Sequence, residues 1–277
     1  MKKHYPSISQ GFGIIAIMIF ISIIVSPVLI LIKFVFNSEL SFLISYLLFV
    51  GIPFLIFNKI KKGTYPQESY QLDIIDTRAI PLIIMATLAL IIGVISPISS
   101  LIPIPDSFRD LLMNYSQQKG IYSFILLVIA APILEELIFR GIVLDGFLKQ
   151  YSPLKSILIS STLFGLVHLN PWQFITAFFI GIFAGWIYYR TRSLSLAILV
   201  HASTNSCAFI ARHLIDVDLY KEESLIEGYG GWTNFTLIII SSFVVLSISI
   251  YLLKYLFQKY DEKQSFNKNI DTLTSQL

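Results

Sequence analysis

Charge is what this sequence has least of. Asp, Glu, Lys and Arg together make up 13% of its 277 residues, whereas 55% are apolar, and mean hydropathy is +0.75. Ordinary soluble domains carry roughly 25% charged residues, so a soluble globular enzyme is excluded and a polytopic membrane protein is expected. Cysteine is nearly absent. Cys207 stands alone, which rules out an intrachain disulfide, and its apolar surroundings give it the reading of a small buried residue. The net charge of +3 is too small to point to nucleic acid. There is no internal repeat, no separate soluble domain and no HExxH motif. The first apolar run follows Lys2 and Lys3 as in a signal peptide, but from Gly11 to Phe36 it has no small-x-small cleavage site, so it reads as a retained span.

What is present is a series of long apolar runs. At ~20 residues per crossing they place helices at about 11 to 36, 41 to 57, 80 to 102, 121 to 150, 155 to 169, 172 to 189, 194 to 213 and 235 to 257. The expected fold is an all-α bundle of about eight spans, the fifth of them short. Its core is the fourth to seventh helices, residues 121–213. Residues 1–120 supply N-terminal helices and a surface segment, and residues 214–277 an outer loop, a last span and a tail. With eight spans, Lys59, Lys61, Lys149, Arg190 and most other cations fall on one side, whereas Lys33, Arg109, Lys119, Arg212 and Lys221 fall on the other. That bias puts both termini in the cytoplasm.

Three connecting segments carry weaker signals. Phe108, Leu111, Leu112 and Tyr115 recur at helical spacing between Asp106 and Tyr115, as in an amphipathic helix on the outer membrane surface or a plain connector. The loop from Ile215 to Trp232 holds Asp216, Asp218, Glu222, Glu223 and Glu227 and reads as a solvated acidic loop. The tail after Tyr260 is polar and without periodicity, and is expected to fray.

Ionisable groups at bilayer depth cost at least ~2.5 to 3.5 kcal/mol each and so mark functional sites. Glu135, Glu136 and Arg140 close the apolar run that begins at Ile121. Glu136 and Arg140 are four apart and pair along one helix face, and Glu135, rotated by ~100°, faces elsewhere. A buried salt bridge locking two helices needs only one glutamate, and here there are two. Phe164 precedes His168 by one turn. With a hairpin turn near Ser152, Glu135 and His168 both stand ~25 Å above it at ~1.5 Å per residue. His201 and Asn205 share a face of the seventh span. A carboxylate with a histidine polarises water for attack on a carbonyl, and a second histidine with an asparagine donates hydrogen bonds to the developing oxyanion. No Ser, Cys or Asp dyad in the spans offers an equally complete set; Ser203 and Ser206 are ordinary at helix packing surfaces.

Taken together, Glu135-Glu136-Leu137-Ile138-Phe139-Arg140, Phe164 to His168, and His201 to Asn205 resemble the EExxxR, FxxxH and HxxxN pattern of the CAAX-protease and bacteriocin-processing (CPBP, Abi) family of intramembrane proteases. The resemblance covers roughly residues 121 to 210. It implies a hydrolase enclosing a site open to water and lipid, with Glu135 as general base and His168 orienting or activating the water. It further implies His201 and Asn205 as the oxyanion site, with Arg140, Glu136 and Phe164 supporting. Its substrate would be a membrane-associated peptide or protein. Eukaryotic relatives cut prenylated tails, and bacterial ones are linked to peptide or bacteriocin processing and self-immunity. Metal use stays open: Glu135, His168 and His201 suit a zinc ion with one open position, but a metal that takes Glu135 removes the base, so metal-free catalysis is the preferred expectation. Two other classes compete. A proton-coupled transporter would show repeat symmetry or broken helices in corresponding halves, and neither is visible. A non-catalytic immunity or scaffold protein would keep the motif for folding alone.

Overall fold

The computed structural model describes residues 4–105, 117–214 and 225–274. The segment from Asp106 to Tyr115, and Asp216, Asp218, Glu222 and Glu223, lie outside the described residues. Described residues form eight principal helices and no strand: α1 Ile8–Lys33, α2 Ser38–Thr64, α3 Ala79–Ser100, α4 Ile121–Leu148, α5 Pro153–Leu166, α6 Pro171–Thr191, α7 Leu194–Leu214 and α8 Trp232–Thr274. Seven of these are long and apolar enough to cross a membrane. The exception is α5, whose 14 residues reach only ~21 Å against a hydrocarbon core of ~30 Å. The protein is therefore multi-pass, with α5 a shorter apolar helix packed against its neighbours.

Helix ends follow local chemistry. Ser7 and Gln10 form a capping box at α1, and Asn37 accepts the Leu40 N–H at 2.9 Å to start α2. Asn170 does the same for α6 through Gln173 N–H at 2.8 Å, with Pro171 in the first turn where no N–H is needed. The tail corrects an expectation: α8 runs on as helix to Thr274. No Pro or Gly lies between Asp261 and Thr274, so nothing in the sequence stops the helix from propagating.

Two apolar clusters make the core, one gathered by α3, α6, α7 and α8, the other by α1, α2, α4 and α5. Between them runs α4, and from Ile138 to Phe147 every residue of it is buried. Large apolar side chains of α1 and α8, such as Phe20, Leu31, Leu237 and Tyr251, face outward, as lipid contact requires. Small residues permit the closest approaches between helices. A Cβ on Gly181 of α6 would lie 3.0 Å from Ser161 of α5, and one on Gly141 of α4 would lie 2.6 Å from the Tyr70 ring.

Candidate active site

Helix α4 is not uniformly wound. Two π-helical stretches, Ile125–Ala130 and Phe139–Leu144, bracket the turns Ala131–Ile138 that carry both glutamates. Where a ladder of five-residue spacing returns to four, one carbonyl is passed over and needs another donor. At the first return, Ala131 N–H bonds the Leu126 carbonyl, and Pro132 has no N–H to offer. The Leu127 carbonyl instead accepts Nδ2 of Asn205, 2.8 Å away. At the second, Asp145 N–H reaches back to Arg140, and the Gly141 carbonyl accepts Nζ of Lys61 at 2.7 Å. Polar side chains of α2 and α7 thus complete the backbone of α4.

The ionisable groups form one connected cluster. Oε1 of Glu136, a residue with no exposed surface, accepts Nη1 of Arg140 at 2.6 Å and lies 3.0 Å from Nδ1 of His201. Nη2 of Arg140 donates to the Gly181 carbonyl of α6 at 3.0 Å, and the guanidinium carbon stands 4.8 Å from the Phe164 ring centroid. The other imidazole nitrogen of His201, Nε2, is 3.8 Å from Oε2 of Glu135, close enough for ionic attraction but too long for a hydrogen bond. Oε1 of Glu135 accepts the Tyr46 hydroxyl at 2.5 Å, whereas its buried Oε2 has no hydrogen-bond partner. Phe164 organises the aromatic side, with its ring 5.5 Å from both His168 and His201 and 4.8 Å from Phe139.

Glu135, Phe164, His168, His201 and Asn205 line a single cavity of about 400 Å³, which Tyr46 and Trp172 also border. Glu136 and Arg140 sit behind it. His168 is not on α5 as the sequence suggested. The helix ends at Leu166, and His168 occupies the following turn, which Leu169 closes at φ 56. Asn170 Nδ2 holds the His168 carbonyl at 2.9 Å while capping α6, so the turn is anchored from the next helix.

Residues 117–207 match the family model described as Rce1-like, type II CAAX prenyl endopeptidase. That stretch of the chain is similar to an Rce1-like domain. Searches of curated proteins and of solved structures returned no match. The description is that of an endopeptidase, a hydrolase, and the seven long apolar helices give this chain a membrane setting.

Among the described residues, no three His, Cys, Asp or Glu side chains are grouped as a metal ion requires. Glu135, His168 and His201 border a cavity together without forming a ligand set. Sequence reading missed Tyr46. It sits in an apolar run of α2, 89 residues from Glu135, and nothing in its local pattern distinguishes it from a lipid-facing or core tyrosine. Asn170 was legible in principle, because an Asn-Pro pair before an apolar run is a helix start.

Proposed function

We propose that the protein is an intramembrane endopeptidase in which Glu135 activates water for attack on a peptide carbonyl of a membrane-associated substrate. What carries this reading is the division of labour at Glu135. One oxygen is held by Tyr46, and the other, unpartnered, lies beside His201 in the wall of a cavity. Nδ1 of His201 is turned to Glu136, which leaves its Nε2 on the side of Glu135 and the cavity. The cycle calls for His201 as the imidazolium, with Nδ1–H donating to Glu136 and Nε2–H facing the site, and for Glu135 as the carboxylate that acts as base.

In the proposed cycle Glu135 takes a proton from water while the hydroxide adds to the carbonyl carbon. His201 Nε2–H and the second N–H of Asn205 donate to the oxyanion, and His168 orients the water. The C–N bond then breaks, and the proton held by Glu135 passes to the leaving amine. Glu136, Arg140 and Phe164 position His201. On the same reading residues 121–213 form the catalytic core, and with α5 counted as an eighth, shorter span the surplus of Lys and Arg on one side supports cytoplasmic termini. By the family resemblance the protein's substrates are membrane-associated peptides or proteins, in a role such as peptide or bacteriocin processing or self-immunity.

The test is a comparison of membrane and secreted peptides from cells carrying wild type and Glu135→Gln. Wild type should yield cleavage products that the variant lacks at equal membrane levels. Identical peptide sets would overturn the proposal.

A further inference from the structure

A second polar cluster lies farther along α4. Asp145 follows Glu135 by ten residues, ~15 Å along the helix. Here Lys61 of α2, Glu68, Asp145, Lys149, Tyr188 of α6 and Arg192 surround a cavity of about 370 Å³. Asp145, which is buried, gathers Lys149 at 3.0 Å, Lys61 at 3.2 Å, Arg192 at 3.3 Å and the Tyr188 hydroxyl at 3.4 Å. Glu68 adds one more carboxylate, 2.5 Å from Lys149 and 4.0 Å from Lys61. Three cations therefore face two carboxylates, and the cavity carries a positive excess.

That excess is not locked away. Arg192 ends α6 at φ 56 with its side chain 44% exposed, and it gives Asp145 a single long contact from a fork of five donors. Lys149 is 22% exposed. Gln67 and Gln71 bring neutral amides to the same rim. This end of the bundle also carries Lys59, Lys62, Lys155 and Arg190, so it meets the leaflet on the cation-rich side. Basic pockets between membrane helices, set at the level of the headgroups, suit phosphate.

We propose that this pocket binds a phosphate-bearing anion, with an acidic phospholipid headgroup as the nearest source. Lys61 would then serve two partners, since its Nζ also holds the Gly141 carbonyl next to Arg140. An occupant therefore touches the helix that carries both glutamates.

Binding is read without reference to peptide cleavage. The full chain in neutral detergent is titrated with dioctanoyl phosphatidylglycerol, dioctanoyl phosphatidylcholine or inorganic phosphate while its unfolding temperature is followed. Phosphatidylglycerol should raise that temperature saturably, with an affinity about tenfold or more above phosphatidylcholine. Arg192→Gln, at the exposed rim, should weaken the response about tenfold while leaving the unliganded unfolding temperature unchanged, and Lys149→Gln should weaken the response as much while lowering that temperature, because Lys149 bridges Asp145 and Glu68. A phosphatidylglycerol effect without an inorganic phosphate effect assigns the site to lipid. Equal effects at equal concentration assign it to soluble phosphate. Equal responses to the two lipids with none to phosphate, or an undiminished response in both variants, would overturn the proposal.

Discussion

Nδ1 of His201 faces Oε1 of Glu136 from 3.0 Å, and that same oxygen takes Arg140 from 2.6 Å. One carboxylate oxygen thus fixes the imidazole of α7 and the guanidinium of α4 together. The sequence expectation paired Glu136 with Arg140 along the helix; the structure adds His201 as the third member, which makes Glu136 the link between two helices.

Glu136→Gln removes the charge that both partners face. It should lower peptide cleavage by ~10²-fold or more, because His201 loses its orienting anion. It should also destabilise the fold by ~3 to 5 kcal/mol, because Arg140 is left as an uncompensated buried charge. The double variant Glu136→Gln/Arg140→Met should recover most of that stability and none of the activity. Unfolding in detergent, followed beside a cleavage assay, separates the two effects; a double variant no more stable than the single one would contradict the account.

The Asn205 to Leu127 bond gives a second expectation. A Leu127 carbonyl deprived of its donor should cost about 0.6 to 1.7 kcal/mol, the range seen for side-chain hydrogen bonds between membrane helices. Asn205→Ala should fall in that range. Asn205→Asp should be worse, since an ionised carboxylate has no N–H and repels the carbonyl it faces. Thermal unfolding of the two variants gives the order, and an Asp variant as stable as wild type would show that Asn205 is not holding Leu127.

These relationships mark where the sequence was readable. Helix positions were, because apolar runs of crossing length and capping residues such as Asn37 are local signals. The partnership of Glu136 and Arg140 was, because four-residue spacing is geometry of one helix. The π-helical stretches of α4 were not. Pro132 signals that a hydrogen bond is missing, but whether the helix kinks, widens or is completed by Asn205 depends on how α7 packs, 78 residues away. The end of α5 was misplaced for a related reason. Phe164 to His168 keeps helical spacing, yet the chain must turn before Asn170 can cap α6, and the turn takes His168. Tyr46 and Lys61 are tertiary additions, and nothing next to them in sequence announces their partners.

Gly141 tests the packing behind the site. An added methyl would meet the Tyr70 ring at 2.6 Å, and that ring is tethered by its hydroxyl to Asn58 at 2.9 Å and lies 4.9 Å from the Lys61 ammonium. Gly141→Ala should therefore destabilise by about 1 to 3 kcal/mol. Combining it with Tyr70→Leu should recover part of the loss, with a coupling of ~0.5 to 3 kcal/mol in a double-mutant cycle. Strict additivity would show that the ring moves aside freely.

Tyr46→Phe isolates what holds Glu135. The substitution keeps the ring and deletes the hydroxyl that donates to Oε1, leaving both carboxylate oxygens without a direct donor. A hydrogen bond to a charged group contributes ~1.5 to 3 kcal/mol, so if the bond serves to aim Oε2 at the cavity, cleavage should fall by ~10- to 150-fold. The loss should appear in kcat more than in KM, because orientation of the base matters at the transition state and not in substrate binding. Unchanged kcat with a raised KM would instead make Tyr46 part of the substrate-binding wall, and the free oxygen of Glu135 would then owe its position to His201 alone.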